Sequence, residues 1–149
     1  MRRTPSLLSV PLLLVVFAGC TSPGPADDNG DSEPPTSDSY RLTAEDMPSL
    51  VSAGENFTYT LIIEGEPEWT SDHIGGHFGN TSTDQPSTAV YTGACFHAPT
   101  LREVPDTFEI TCRINEPGTW YLRGHMRIAL DDGQVLNWWT DEEFTIVAA

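Results

Sequence analysis

The chain contains no lysine. Its seven basic residues are all arginine, against 22 Asp and Glu, which gives a formal net charge of −15 over 149 residues. Arg2 and Arg3 precede every acid, so the chain beyond them carries 22 acids against 5 arginines, a net charge of −17. This balance argues against a nucleic-acid-binding protein, which needs a basic face. It equally argues against a polybasic patch that docks on anionic lipid.

Long hydrophobic runs are also missing. The one extended apolar stretch is 7–18, interrupted by Ser9 and Pro11 and preceded by Arg2 and Arg3. A helix that spans a bilayer needs about 18 or more apolar residues. The stretch is therefore interpreted as the core of an export signal, with an ordinary membrane helix as the alternative.

The end of this signal carries a more specific pattern. Phe17-Ala18-Gly19-Cys20 resembles the lipobox of prokaryotic lipoproteins, in which small residues precede a cysteine that is lipidated and becomes the first residue. The family usually has leucine where Phe17 stands. The resemblance implies a signal peptide at 1–19, a lipid anchor on Cys20, and attachment to the lipid bilayer at the outer face of the cytoplasmic membrane. It leaves open whether export follows the general or the twin-arginine route. The acid excess without lysine also resembles the composition of salt-adapted archaeal proteins.

The segment after Cys20 has the composition of a spacer. Residues 21–39 contain four prolines, two glycines and five acids, with no aromatic or large aliphatic side chain. Such a stretch buries too little apolar surface to offset the entropy of ordering. We therefore expect a disordered acidic linker over 20–39 and a folded domain over 40–149.

Cysteine is scarce, and its odd count needs an explanation in an exported protein. If Cys20 carries lipid, Cys95 and Cys112 remain, and outside the cytosol they are expected to form a disulfide. Closing this loop contributes about 3 kcal/mol in the chain-entropy treatment. A free thiol or a thiolate ligand at either position is the alternative.

No long segment shows the 3.6-residue apolar period of a helix, whereas alternation of apolar and polar residues recurs. The predicted strands are 41–44, 56–63, 69–78, 88–96, 108–114, 120–128, 135–139 and 144–147. Asp131-Asp132-Gly133 is a hairpin-turn signal between two of them. Seven to nine short strands separated by turns predict an all-β protein, a β-sandwich.

Two segments resemble immunoglobulin-like domains. Glu116-Pro117-Gly118-Thr119-Trp120 is similar to the start of their strand F, and Ser52-Ala53-Gly54-Glu55 leads into Phe57 as their strand B begins. The resemblance implies an immunoglobulin-like sandwich with Leu61 or its neighbour and Leu122 where antibody domains have cysteines. The Cys95–Cys112 pair would then link middle strands. A jelly roll or a cupredoxin-like barrel is the alternative.

The concentrated chemistry of the chain is its histidines. In the predicted strands, His73, His77 and His125 lie on polar faces, and the immunoglobulin-like resemblance places their strands side by side. They would share an outer face with Arg123 and Arg127, the most positive patch of an acidic domain. The fourth histidine, His97, follows Cys95 closely.

Strand geometry argues against a metal site there. Residues four apart in a strand are separated by about 13 Å, too far for two imidazoles to meet one ion at about 2 Å. His73 and His77 converge only if Gly75-Gly76 forms a turn or bulge. A blue-copper set of Cys95, His97 and Met126 does not have that family's spacing.

Catalytic motifs are absent: the chain has no G-x-S-x-G, H-E-x-x-H, phosphate loop or CxxC. We therefore expect a non-enzymatic binding or accessory module, with an unknown protein or small ligand as its partner. Of the adjacent Trp138 and Trp139, one should be buried and the other should face a ligand. The expected contact surface comprises Arg123, His125, Arg127, Trp138 and Trp139. The alternative is an exported copper or zinc protein that uses His73, His77, His97 and His125.

Overall fold

Alternation of buried and exposed side chains defines the strands of this protein. The structure, a computed structural model, describes residues 33–81, 91–96 and 101–149. Its eleven strands are β1 (Tyr40–Glu45), β2 (Leu50–Val51), β3 (Asn56–Gly65), β4 (Trp69–Ser71), β5 (His73–Gly79), β6 (Gly93–Phe96), β7 (Arg102–Val104), β8 (Asp106–Arg113), β9 (Gly118–Ala129), β10 (Val135–Trp139) and β11 (Phe144–Ala148). The described part of the chain is therefore all-β.

Nine of the strands form one sheet. Their order is β1-β3-β8-β6-β5-β9-β11-β2, and β10 pairs with β9 beside β11. Strands β4 and β7 form a separate two-stranded sheet. Strand β9 is long enough to serve two partners, because its first half pairs with β11 and its second half with β10.

The large sheet curves until its distant strands meet again. Leu42 of β1 forms a parallel bridge with Thr140, the residue after β10. Between the facing layers lies one core, to which Leu61 and Ile110 contribute from one side and Leu122 and Ile146 from the other, all of them fully buried. This arrangement is consistent with the predicted β-sandwich. The immunoglobulin-like assignment stays a prediction.

A disulfide joins the neighbouring strands β6 and β8. Cys95 and Cys112 are both buried and are bonded to each other, as predicted. They link middle strands of the large sheet, which the sequence also indicated. Disulfides persist in oxidising compartments, so this bond indicates an extracytoplasmic environment.

The predicted strands are largely confirmed, with three differences. The segment 69–78 is two strands separated by Asp72, because β4 pairs with β7 in the small sheet whereas β5 pairs with β6 and β9 in the large one. Strand β6 begins at Gly93, and residues 82–90 lie outside the described residues. The short strands β2 and β7 were not predicted, since two or three residues are too few to show alternation.

Contacts of the folded body begin before residue 40. Pro35 is buried, and the indole Nε1–H of Trp138 donates a hydrogen bond of 2.9 Å to the carbonyl of Ser37. The predicted signal peptide, Cys20 and most of the predicted linker lie outside the described residues. Within those that are described, no helix has the length and apolarity needed to cross a membrane.

Candidate metal centre

Three of the four histidines meet on one face of the pair formed by β5 and β9. The antiparallel register places Gly75 opposite His125, His73 opposite Arg127 and His77 opposite Arg123. Because alternate residues of a strand share a face, His73, Gly75 and His77 lie on one face of β5, and His125 lies on the same face of β9. The predicted common face is therefore confirmed for these three residues.

The expectation that His73 and His77 cannot converge without a turn or bulge is wrong. Strand β5 pairs in unbroken register with β9 through both Gly75 and Gly76. The two imidazoles approach because Gly75, between them on the same face, has no side chain. Their ring centroids lie 5.6 Å apart in a stacked arrangement. The glycine adds no side chain to the row between the two rings, which backbone spacing alone does not reveal.

The ring of His125 completes the group from the neighbouring strand. Its centroid lies 4.9 Å from that of His73 and 4.9 Å from that of His77. One ring nitrogen from each of the three residues can be chosen so that all three atoms lie within 4.8 Å of one another. We call His73, His77 and His125 the three-histidine cluster. His97 lies outside the described residues, so its relation to the cluster stays a prediction.

A hydrogen bond to Asn137 assigns the tautomer of His125. The Nε2–H of His125 donates to the side-chain oxygen of Asn137 across 2.9 Å. The other nitrogen, Nδ1, then holds the lone pair, and it is buried with no hydrogen-bond partner among the described residues. A histidine that donates the N–H of one ring nitrogen to an acceptor and keeps a lone pair on the other nitrogen has the arrangement of a metal-binding histidine.

Two aromatic side chains border the cluster. The ring centroid of Trp139 lies 4.2 Å from that of His125 and 5.4 Å from that of His77. Tyr91 stacks on Trp139 at 5.2 Å and lies 5.3 Å from His77. Trp138 points the other way and is buried against Tyr40. The prediction that the two tryptophans face opposite sides is confirmed.

The prediction of an exposed positive patch is wrong for Arg123 and His125, because both residues are buried. Arg123 faces Glu143 at 3.8 Å, and its guanidinium also donates to the carbonyl of Thr140 at 3.3 Å. Arg127 is exposed but forms two hydrogen bonds with Asp72, one of them 2.6 Å long. Strict alternation failed here because the middle of β9 is covered on both faces.

The environment of the cluster favours neutral imidazoles. Burial lowers the pKa of His125 to about 3. Burial, together with a positive charge on His73, lowers the pKa of His77 to about 4. The pKa of His73 is lowered by burial and then by the charge of Arg127, although Asp72 opposes the shift. At neutral pH all three rings therefore carry a lone pair that a metal ion can accept.

The opposite face of β5 is held by the core. The hydroxyl of Tyr59 donates a 3.0 Å hydrogen bond to the carbonyl of Gly75. A Cβ on Gly76 would lie 2.5 Å from that hydroxyl and 3.2 Å from the sulfur of Cys95. The absence of a side chain at Gly76 lets the disulfide and Tyr59 pack directly behind the histidines.

Sequence reasoning missed Asn137 and Tyr91. The hairpin signal at Asp131-Asp132-Gly133 predicts that the strands on either side of it pair. Extending that pairing places Trp139 opposite His125 and Asn137 opposite Arg127. Asn137 could therefore have been recognised as a neighbour of His125. Nothing in the sequence marked Tyr91.

No protein family matches the chain, and none of the curated proteins matches it.

Proposed function

We propose that this protein is an exported metal-binding protein whose ion is held by His73, His77 and His125. The carrying observation is the convergence of three ring nitrogens, one from each residue, within 4.8 Å of one another. This favours the metal-binding alternative over a module that binds through an open basic surface. The buried Arg123 and the paired Arg127 remove the main support for such a surface.

The spacing of the nitrogens suits a site that closes on its ion. At metal–nitrogen distances of 2.0–2.1 Å, tetrahedral geometry places neighbouring ligand atoms about 3.3 Å apart. The nitrogens of the cluster lie within 4.8 Å of one another, so they need to approach by no more than about 1.5 Å, which small rotations of the imidazoles provide. Backbone movement is not required, because the three residues already share a face of two paired strands.

The ligand type restricts the metal. Imidazole suits copper and zinc, whereas calcium and magnesium prefer oxygen. Among the described residues, no carboxylate or cysteine belongs to the group that contains these histidines. Copper and zinc are therefore the two ions that we propose, with copper bound more tightly among divalent ions.

Metal titration tests this function. The purified protein is titrated with Zn(II) and with Cu(II), and bound metal is counted after gel filtration. We expect one tight equivalent per chain, lost in His73→Gln, His77→Gln and His125→Gln. Because a chain of net charge −15 attracts cations unspecifically, the matched control is Glu109→Gln, which removes an exposed carboxylate and should leave the tight equivalent intact. Binding that survives the histidine substitutions, or no tight binding at all, would refute the proposal.

We further propose that the protein is tethered by lipid on Cys20. The support is the lipobox-like Phe17-Ala18-Gly19-Cys20 and the extracytoplasmic environment that the disulfide indicates. Stable anchoring takes at least two acyl chains. Expression with the native leader and detergent phase partitioning should place the protein in the detergent phase and Cys20→Ser in the aqueous phase. Equal partitioning of both would contradict lipid attachment.

A further inference from the structure

Two aromatic side chains, Trp139 and Tyr91, border the three-histidine cluster, so the surroundings of a bound ion include aromatic rings as well as nitrogen ligands. Trp139 lies 4.2 Å from His125 and 5.4 Å from His77, measured between ring centroids. An ion bonded to both histidines is thereby brought close to the roughly 6 Å range over which an indole ring attracts a cation. Tyr91 stacks on Trp139 with only 13° between the ring planes, which holds the indole in place.

The ligand set leaves the charge of the ion uncompensated. Within residues 33–81, 91–96 and 101–149, the group consists of three imidazoles without a carboxylate or a thiolate. Cys95 and Cys112 are unavailable because they are bonded to each other. Removing an ion from water costs free energy that rises steeply with its charge. Three neutral ligands in a half-buried site therefore penalise a divalent ion more than a monovalent one.

The neighbouring guanidinium groups act in the same direction. Arg127 lies opposite His73 and Arg123 lies opposite His77 in the register of β5 and β9. Arg127 is paired with Asp72 at 2.6 Å and Arg123 faces Glu143 at 3.8 Å, so each guanidinium opposes a cation at these rings only by the charge that its carboxylate leaves uncompensated. That opposition is twice as strong for a divalent ion as for a monovalent one.

We infer that the resident ion of this site is Cu(I), held by the three imidazoles and contacted by the ring of Trp139, which makes Trp139 a specificity-determining residue. Cu(I) has a filled d shell, accepts three nitrogen ligands and is weakly hydrated, so it suits an aromatic wall better than Zn(II) does. Cu(I) is more often selected by sulfur ligands; here the selection comes from charge and from the indole. The inference rests on the proposed function, because it presupposes binding at the cluster.

A comparison of two ions in matched variants tests the inference. The purified protein competes anaerobically for Cu(I) with bathocuproine disulfonate and, separately, for Zn(II) with a chromophoric zinc chelator. Trp139→Leu should weaken Cu(I) binding about 5- to 30-fold, the factor that corresponds to a cation–π contribution of about 1–2 kcal/mol. Zn(II) binding should change less than about twofold, because Zn(II) on three imidazoles takes a water as its fourth, tetrahedral ligand, and that water keeps the ring of Trp139 out of direct contact with the ion. Trp139→Phe keeps a weaker aromatic face, and its Cu(I) affinity should fall between that of the unsubstituted protein and that of Trp139→Leu.

The outcomes separate the two proposals. If Trp139→Leu and Trp139→Phe weaken both ions equally, or if neither variant weakens Cu(I), the role of Trp139 is refuted while metal binding stands. If the unsubstituted protein binds Zn(II) more tightly than Cu(I), the preference itself is refuted. If neither ion binds, or if His125→Gln binds both ions as well as the unsubstituted protein does, the proposed function fails as a whole. Should Trp139→Leu not fold, Trp139→Phe decides alone through its intermediate loss of Cu(I) affinity.

Discussion

Gly75 of β5 pairs directly with His125 of β9, and this pairing creates the three-histidine cluster. The missing side chain at Gly75 leaves room for His73 and His77 to lean together, and His125 enters the same space from the neighbouring strand. A glycine in the interior of a strand normally weakens it. Here the glycine lies where three imidazoles converge, and its lack of a side chain makes room for them.

Filling the position of Gly75 should remove metal binding without removing a ligand. In Gly75→Val the new side chain would lie between the rings of His73 and His77 and keep their nitrogens apart. We expect a loss of metal affinity of about 10- to 100-fold, the range seen when ligands are poorly oriented. Competition titration measures it, and circular dichroism confirms that the sheet is retained. A folded Gly75→Val protein with unchanged affinity would show that convergence over Gly75 is not needed.

Asn137 should act through the tautomer of His125. Asn137→Leu removes the acceptor of the Nε2–H, whereas Asn137→Asp keeps an acceptor and adds a charge. We expect Asn137→Leu to weaken metal binding about 10- to 100-fold and Asn137→Asp to retain or strengthen it. Long-range ¹⁵N–¹H NMR correlations of the imidazoles should show His125 protonated at Nε2 in the unsubstituted protein. A His125 protonated at Nδ1 would contradict this role of Asn137.

Folding stability of the metal-free protein should fall in mild acid because of the cluster. In the folded protein the pKa values of His125 and His77 are lowered to about 3 and about 4. Between about pH 6.5 and these values, the two side chains bind protons in the unfolded chain and stay neutral in the folded one. The stabilisation is therefore complete above about pH 6.5 and is lost progressively as the pH falls toward 4 and 3.

Urea unfolding at a series of pH values measures this dependence. The matched comparison is His125→Gln, in which the slope between pH 6.5 and pH 4 should be shallower whatever the stability of the variant at pH 7. Parallel pH profiles of the two proteins would show that His125 does not titrate as its burial requires.

The opposite face of β5 should tolerate no extra volume. In Gly76→Ala the added Cβ would lie 2.5 Å from the hydroxyl of Tyr59 and 3.1 Å from the carbonyl of Arg123. We expect a loss of about 1–3 kcal/mol of unfolding free energy from overpacking. Removing the hydroxyl in Tyr59→Phe relieves one of these contacts, so the double variant should lose less than the two single losses together. Strict additivity of the two substitutions would contradict the direct contact.

Periodicity in the sequence was sufficient for the core and insufficient for the site. Tyr59, Leu61 and Ile110 alternate with polar residues, and all three are buried as expected. Alternation failed at Arg123 and His125, because it assumes that one face of a strand meets water. On this face of β9 the ring of Trp139 packs on His125, while Glu143 and the carbonyl of Thr140 contact Arg123.

Two further properties of the site could not be derived from spacing alone. The distance between the backbones of His73 and His77 predicted that these two residues could not bind one ion. That argument left out the length of the imidazole side chains, which lean toward each other over Gly75. The contact of Tyr91 with His77 depends on a segment whose path the sequence does not indicate. By contrast, the common face of the three histidines followed from strand parity and from the adjacency that the immunoglobulin-like resemblance implied.

X-ray absorption spectroscopy of the metal-loaded protein tests the central claim most directly. The fine structure of the bound ion reports the number and type of its ligands. We predict one ion per chain with three imidazole nitrogens at about 2 Å, and the outer-shell scattering that imidazole rings produce. A shell dominated by oxygen, with one imidazole or none, would mean that His73, His77 and His125 converge without binding metal.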